Sequence, residues 1–139
     1  WRVEILGTDI SEKVLKVAQA GRYNHYAVRS MNPMVLQRYF KTEGSEYVLD
    51  PSIKSMVRFE KLNLKDTLSA KRFGKFDVIF CRNVLIYFDE AMRASCAKLY
   101  HDQLETDGTL FIGHSETLRN IDVPFKPLSS PQAFAYQKV

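Results

Sequence analysis

The sequence predicts an α/β fold whose parallel sheet is covered on both faces. Three observations predict it. Short, almost wholly apolar runs recur at Val3–Gly7, Phe76–Arg82 and Leu110–Gly113. Segments with helical repeats separate them, and strands apolar on both faces suit a sheet with helices on either side. Each run also ends in polar residues, at the place where α/β sheets bind their ligands.

The elements follow in order. Val3–Gly7 is a buried strand closed by Thr8-Asp9-Ile10. Ser11 is a helix N-cap, Val14, Leu15, Val17 and Ala18 repeat at helical spacing, and Gly21 stops the helix. Residues 23–32 give no clear element. Pro33 opens a second helix carrying Val35, Leu36, Tyr39 and Phe40. Glu43-Gly44-Ser45 is a turn, Tyr47-Val48-Leu49 a short strand, Asp50-Pro51-Ser52 a turn or helix start, and 56–62 alternates like a strand. These features predict a small antiparallel insert over about 42–62. Residues 69–75 form a polar connection. Phe76–Arg82 is a core strand, Asp89–Thr106 a helix, Asp107-Gly108 a turn, and Leu110–Gly113 another core strand. Pro124–Pro131 is punctuated, and Ala133–Val139 completes a terminal strand pair.

With 139 residues and 45% hydrophobic content, the chain suits one domain with a packed core. The net charge of +4 is a mild excess, and Lys and Arg are scattered, so nucleic-acid binding gains no support. Cys81 and Cys96 lack metal-ligand spacing and read as reduced thiols of a cytoplasmic protein, with no metal. No apolar run approaches the roughly 18 residues of a membrane span.

The strand ends carry the candidate chemistry. The first delivers Asp9, the strand after the insert Asn63, the third Arg82 and Asn83, and the fourth His114, Ser115 and Glu116. An acidic residue ending an early strand of a nucleotide-binding sheet accepts hydrogen bonds from ribose hydroxyls. The plain alternative for Asp9 is a helix cap, a role that Ser11 already offers. The chain has six glycines but no GxGxxG. A phosphate-cradling Cys loop would need an Arg six positions after Cys81, where Tyr87 stands. His114-Ser115-Glu116 cannot align as a hydrolase triad on one loop, and Glu116 can equally cap the turn there. Tyr87, read from position alone, is a core aromatic with its hydroxyl at the rim.

"FDVIFCRNVLIYFD" followed by a helix and "GTLFIGHSETL" resembles the CheR-type chemotaxis receptor methyltransferases, as do "ILGTDIS" and "VRFEKLNL". The likeness runs from about Ile5 to Phe125 in the family's order. It implies a Rossmann-like S-adenosylmethionine-dependent methyltransferase domain over 1–139, whose insert is the family's β-subdomain. It implies methyl transfer to receptor glutamates, yielding methyl esters and S-adenosylhomocysteine. Asp9 would hold the cofactor ribose, Asn63 and Leu64 would flank the adenine, and Arg82 and Asn83 would line the cofactor and substrate mouth. Tyr87 would stand beside the transferred methyl, with Arg82 as its catalytic companion. The protein partner would be the cytoplasmic domain of a chemoreceptor, with neither nucleic acid nor membrane insertion. A regulatory module that binds cofactor or receptor without catalysis is the competing reading.

The chain opens Trp1-Arg2-Val3, already inside a strand-like run. Against the family pattern, the expectation is a catalytic domain truncated at its N-terminus, lacking the first strand and its glycine loop. Such a chain is expected to bind cofactor and turn over weakly by itself, and to self-associate through its bare sheet edge.

Overall fold

A computed structural model describes residues 1–139. The chain forms two compact units, Trp1–Asn63 and Leu64–Val139.

The first unit contains β1 (Ile5–Asp9), α1 (Glu12–Ala20), β2 (Arg22–Asn24), α2 (Pro33–Tyr39), β3 (Phe40–Glu43), β4 (Glu46–Leu49), α3 (Pro51–Lys54) and β5 (Val57–Lys61). The caps explain where the helices lie. The Ser11 side chain accepts from the Val14 N–H at 3.3 Å and starts α1. Gly21, at φ 63°, ends it in the left-handed conformation that glycine adopts without a Cβ penalty. Asn32 and Pro33 start α2, with the Met34 N–H donating to Asn32 Oδ1 at 2.9 Å.

β1 and β5 pair in parallel, from Ile5 opposite Val57 to Asp9 opposite Lys61. β2, β4 and β3 make a separate antiparallel sheet in that order. Gly44, at φ 58°, closes the tight hairpin between β3 and β4. Arg22 ties the sheet together: its Nε donates to Glu46 at 2.6 Å and its Nη2 to Glu43 at 2.8 Å. The antiparallel element therefore spans 22–49 rather than the 42–62 expected, and Val57–Lys61 lies instead beside β1. Alternation in 56–62 identifies a strand but carries no information about its partner. β2, at three residues, is too short for any periodic signal.

The second unit contains α4 (Thr67–Lys71), β6 (Phe76–Cys81), a 3-10 turn (Leu85–Tyr87), α5 (Glu90–Gln103), β7 (Leu104–Ile112), β8 (Phe125–Leu128) and β9 (Phe134–Lys138). Its sheet runs β6-β7-β9-β8. β6 and β7 are parallel, while β9 is antiparallel to both β7 and β8, as a terminal strand pair requires. The expected Asp107-Gly108 turn lies within β7 as a bulge: Phe76 faces Leu104, but Val78 faces Thr109, and Asp107 adopts φ 62°. α4 occupies ground read as a polar connection. Five residues are too few to show a helical repeat, and the signal was its cap, the Ser69 N–H donating to Asp66 Oδ1 at 3.0 Å.

α5 starts where Asp89 accepts from the Met92 N–H at 2.8 Å. It buries Cys96, Ala97, Leu99, Tyr100 and Gln103. Leu85, Leu104, Leu110 and Ile112 complete the core, each under 2% exposed or at that limit. Full burial of such side chains contributes about 1.5–3 kcal/mol each. Cys81 faces α5, whose Tyr100 hydroxyl donates to its Sγ at 3.0 Å. On the opposite face of β6, Val78 and Phe80 remain 45% and 70% exposed, with Phe80 stacked on Phe111 at 4.9 Å between centroids. No helix is long and apolar enough to cross a membrane.

Candidate functional site

In the first unit, parallel pairing brings the carboxyl ends of β1 and β5 to one edge. Asp9 closes β1 there, half-buried, and its Oδ1 accepts from the Ser11 N–H at 2.8 Å. Its backbone carbonyl accepts from the Leu62 N–H at 3.0 Å, which fixes the chain just before exposed Asn63. Ser11 caps α1, so Asp9 is held at the strand end without being spent as the helix cap. Leu64, half-buried, begins the second unit.

In the second unit, β6 and β7 also share their carboxyl edge. Cys81 is buried, and burial first, with nearby Glu116 and Cys96 adding to it, pushes its thiol up to about 11 against the opposing Tyr100 hydrogen bond. A thiol held protonated in this way is no nucleophile at neutral pH. Arg82 follows, exposed, and enters no salt bridge with the chain's own carboxylates.

Asn83 takes φ 60°, a left-handed conformation that Asn tolerates better than most residues. This turns the chain sharply out of the sheet. Leu85 then plunges into the core at 1% exposure, whereas Tyr87 emerges at 80%. The core-aromatic reading of Tyr87 is thereby excluded: Leu85 anchors the turn and Tyr87 is presented. Asp89 ends the segment by capping α5. Arg82, Asn83 and Tyr87 thus share one loop.

Facing that loop is Glu116, whose place after a strand suits a turn cap equally well. Glu116 is buried, with 7% exposure, and its carboxylate collects four backbone N–H groups. Oε2 accepts from Gly113 at 2.6 Å and Asn83 at 3.0 Å. Oε1 accepts from Val84 at 2.9 Å and Ile86 at 3.3 Å. Burial pushes this carboxyl up, but the N–H groups of Gly113, Asn83 and Ile86 outweigh it and hold the net value below the ordinary glutamate range. Gly113 matters for a steric reason. A Cβ there would press on Asn83 Oδ1 and lie 2.9 Å from Glu116 Oε2 and 3.0 Å from Asn83 N. The available signal was a glycine ending a core strand with a carboxylate three residues on. His114 and Ser115 point to no triad, since both are exposed and neither makes a side-chain hydrogen bond to the other.

The family model for the CheR methyltransferase SAM-binding domain matches residues 1–134. Chemotaxis protein methyltransferase 1 of Pseudomonas aeruginosa is 38% identical over 137 residues, covering 97% of this chain and 49% of the relative. A chemotaxis protein methyltransferase of Borreliella burgdorferi is 40% identical over 123 residues, covering 86% and 42% respectively. That of Escherichia coli K12 is 36% identical over 132 residues, covering 89% and 44%. The chain spans about half the length of the curated relatives it matches.

Proposed function

Because the chain belongs to the CheR methyltransferase family, whose SAM-binding domain its residues 1–134 match, we propose that the protein carrying it is a protein-glutamate O-methyltransferase acting on the cytoplasmic domains of chemotaxis receptors. In this reading residues 1–139 are part of the catalytic domain, and the β2-β4-β3 sheet is its β-subdomain. The observation that carries the proposal is the pair Arg82 and Tyr87, both exposed on one anchored loop at the carboxyl end of a parallel strand.

The residues present fit S-adenosylmethionine. Asp9 offers a held, half-exposed carboxylate suited to ribose hydroxyls. Asn63 offers an exposed amide, and Leu64 a half-buried aliphatic side chain, for the adenine. Tyr87 offers an aromatic face and a hydroxyl to a cationic centre or a substrate oxygen.

When bound, the cofactor would supply a methyl activated on a sulfonium for transfer to an ionised glutamate oxygen, the carbon–sulfur electron pair remaining on sulfur. No proton moves, because a glutamate is ionised at neutral pH. The protein's task is to orient the carboxylate and exclude water. The Arg82 guanidinium suits the first role, since it binds carboxylates in a planar, two-pronged fashion. The Tyr87 hydroxyl orients the attacking oxygen. Asn83 sets the turn between them and lines the mouth.

The test is transfer of labelled methyl from S-adenosylmethionine to a receptor cytoplasmic domain by the full-length protein. Base-labile label on glutamate is expected, reduced at least about tenfold in Tyr87→Phe and in Arg82→Ala. Cofactor binding without transfer would instead favour a non-catalytic signalling module. Self-association of the isolated chain belongs to the same reading and is supported by exposed Val78 and Phe80. A monomeric mass in light scattering would refute that part.

A further inference from the structure

Glu116 is the only carboxylate of the chain with both oxygens committed to backbone N–H groups of a loop thirty or more residues away in sequence. We propose that Glu116 is a positioning residue of the methyl-transfer site, whose buried carboxylate holds the 83–86 backbone in the one conformation that presents Arg82 and Tyr87. This rests on the methyltransferase reading above.

The loop leaves β6 without a strand partner, so its N–H groups need acceptors from elsewhere. Asn83 at φ 60° makes the N–H groups of 83, 84 and 86 converge. Such a concavity ordinarily captures an anion. Here the chain fills it with its own carboxylate. The substrate carboxylate is therefore not held in this nest, and the duty of binding it falls to exposed groups such as Arg82. The pinned amides lie between the two candidate side chains. Asn83 N follows Arg82 directly, and Ile86 N is the last bond before Tyr87. Gly113 completes the arrangement by leaving room for Asn83 Oδ1 against the end of β7. The "RNVLIYF" and "GHSE" stretches thus form one device: the first presents side chains and the second pins its backbone.

Direct acid–base catalysis by Glu116 is a different role, with a different signature. Both oxygens are occupied by N–H donors and the residue is buried. A positioning residue scales the pH–rate profile without moving it, whereas an acid–base group leaves a titration behind when removed.

The experiment compares wild type, Glu116→Gln and Glu116→Asp in the full-length protein, by steady-state methyl transfer across pH and by amide hydrogen exchange. Gln loses one acceptor oxygen and turns an NH2 toward N–H donors. The expected result is faster exchange at Asn83, Val84 and Ile86 and a fall in kcat of about 10- to 100-fold, as displacement by an ångström or so produces. The cofactor KM should change less than kcat, the pH profile should keep its shape, and Asp should recover part of the rate. Unchanged exchange at the three amides overturns the proposal. So does lost protection with kcat within about twofold of wild type, or a shifted pH profile. If neither variant folds, Glu116 is a structural residue and the proposal falls. A wild-type protein that transfers no methyl overturns the functional reading itself, whatever the variants do.

Discussion

Leu85→Ala, set beside Ile86→Ala, tests the division between holding and presenting inside the "VLIY" segment. The two residues are adjacent and chemically alike, yet Leu85 is 1% exposed and Ile86 48%. Truncating Leu85 removes three buried carbons. At about 0.8 kcal/mol for each buried methylene, the transfer loss is about 2.4 kcal/mol. The cavity left behind raises the expected cost to about 3–4 kcal/mol. Truncating half-exposed Ile86 should cost about 1 kcal/mol or less. Urea titrations of the full-length protein, followed by far-UV circular dichroism, would read the difference as a lower midpoint at unchanged slope. In a protein of the relatives' size, Leu85→Ala should also melt roughly 6–16 °C lower. If Leu85→Ala costs less than about 1 kcal/mol, or Ile86→Ala costs as much, the anchoring argument fails. The claim that Tyr87 is presented by Leu85 would then fail with it.

Three further predictions follow from the same residues. Gly113→Ala forces a Cβ onto Asn83 Oδ1 and toward Asn83 N; a stability loss of about 1–3 kcal/mol in thermal melts is expected, together with reduced methyl transfer. Cys81 and Cys96, both buried with their thiols pushed up by burial, should react with a thiol reagent at neutral pH only as fast as the protein unfolds, and prompt labelling would contradict this. Glu116 has a folded value below its unfolded value near 4.3. Its contribution is therefore fully present above that unfolded value and disappears as pH falls through the lower folded one. Denaturant midpoints measured from about pH 7 down to about pH 3 should fall more steeply in wild type than in Glu116→Gln, and parallel curves would refute the linkage.

The family likeness is legible in the sequence because the stretches that carry it, such as "FDVIFCRNVLIYFD" and "GTLFIGHSETL", are each continuous. Asp9 ends β1, Asn63 lies two residues past β5, and Arg82 and Asn83 follow β6; a strand's end is visible in one-dimensional patterning. The helix caps Ser11 and Asp89 act within three residues of themselves, so they too could be read. The misplacement of the insert marks the opposite case. Whether 57–61 joins β1 or the antiparallel sheet depends on a pairing partner about fifty residues away. Alternation is the same for either choice. Likewise α4 rests on its Asp66 cap and β2 on its pairing with β4, and their length defeats any periodic test.

By itself the sequence determined the family and the alternation of strands and helices, and it nominated the side chains proposed for the chemistry. Those properties live in residue identity and short-range order. Only the tertiary structure decided which apolar residue of "VLIYF" is core and which aromatic is presented, since a turn with positive φ at Asn83 breaks every simple period. It alone showed which amides the Glu116 carboxylate accepts from. A carboxylate in a turn and a carboxylate satisfying three amides of a distant loop look identical in sequence, and their difference arises only when folding removes water and leaves those amides no other acceptor.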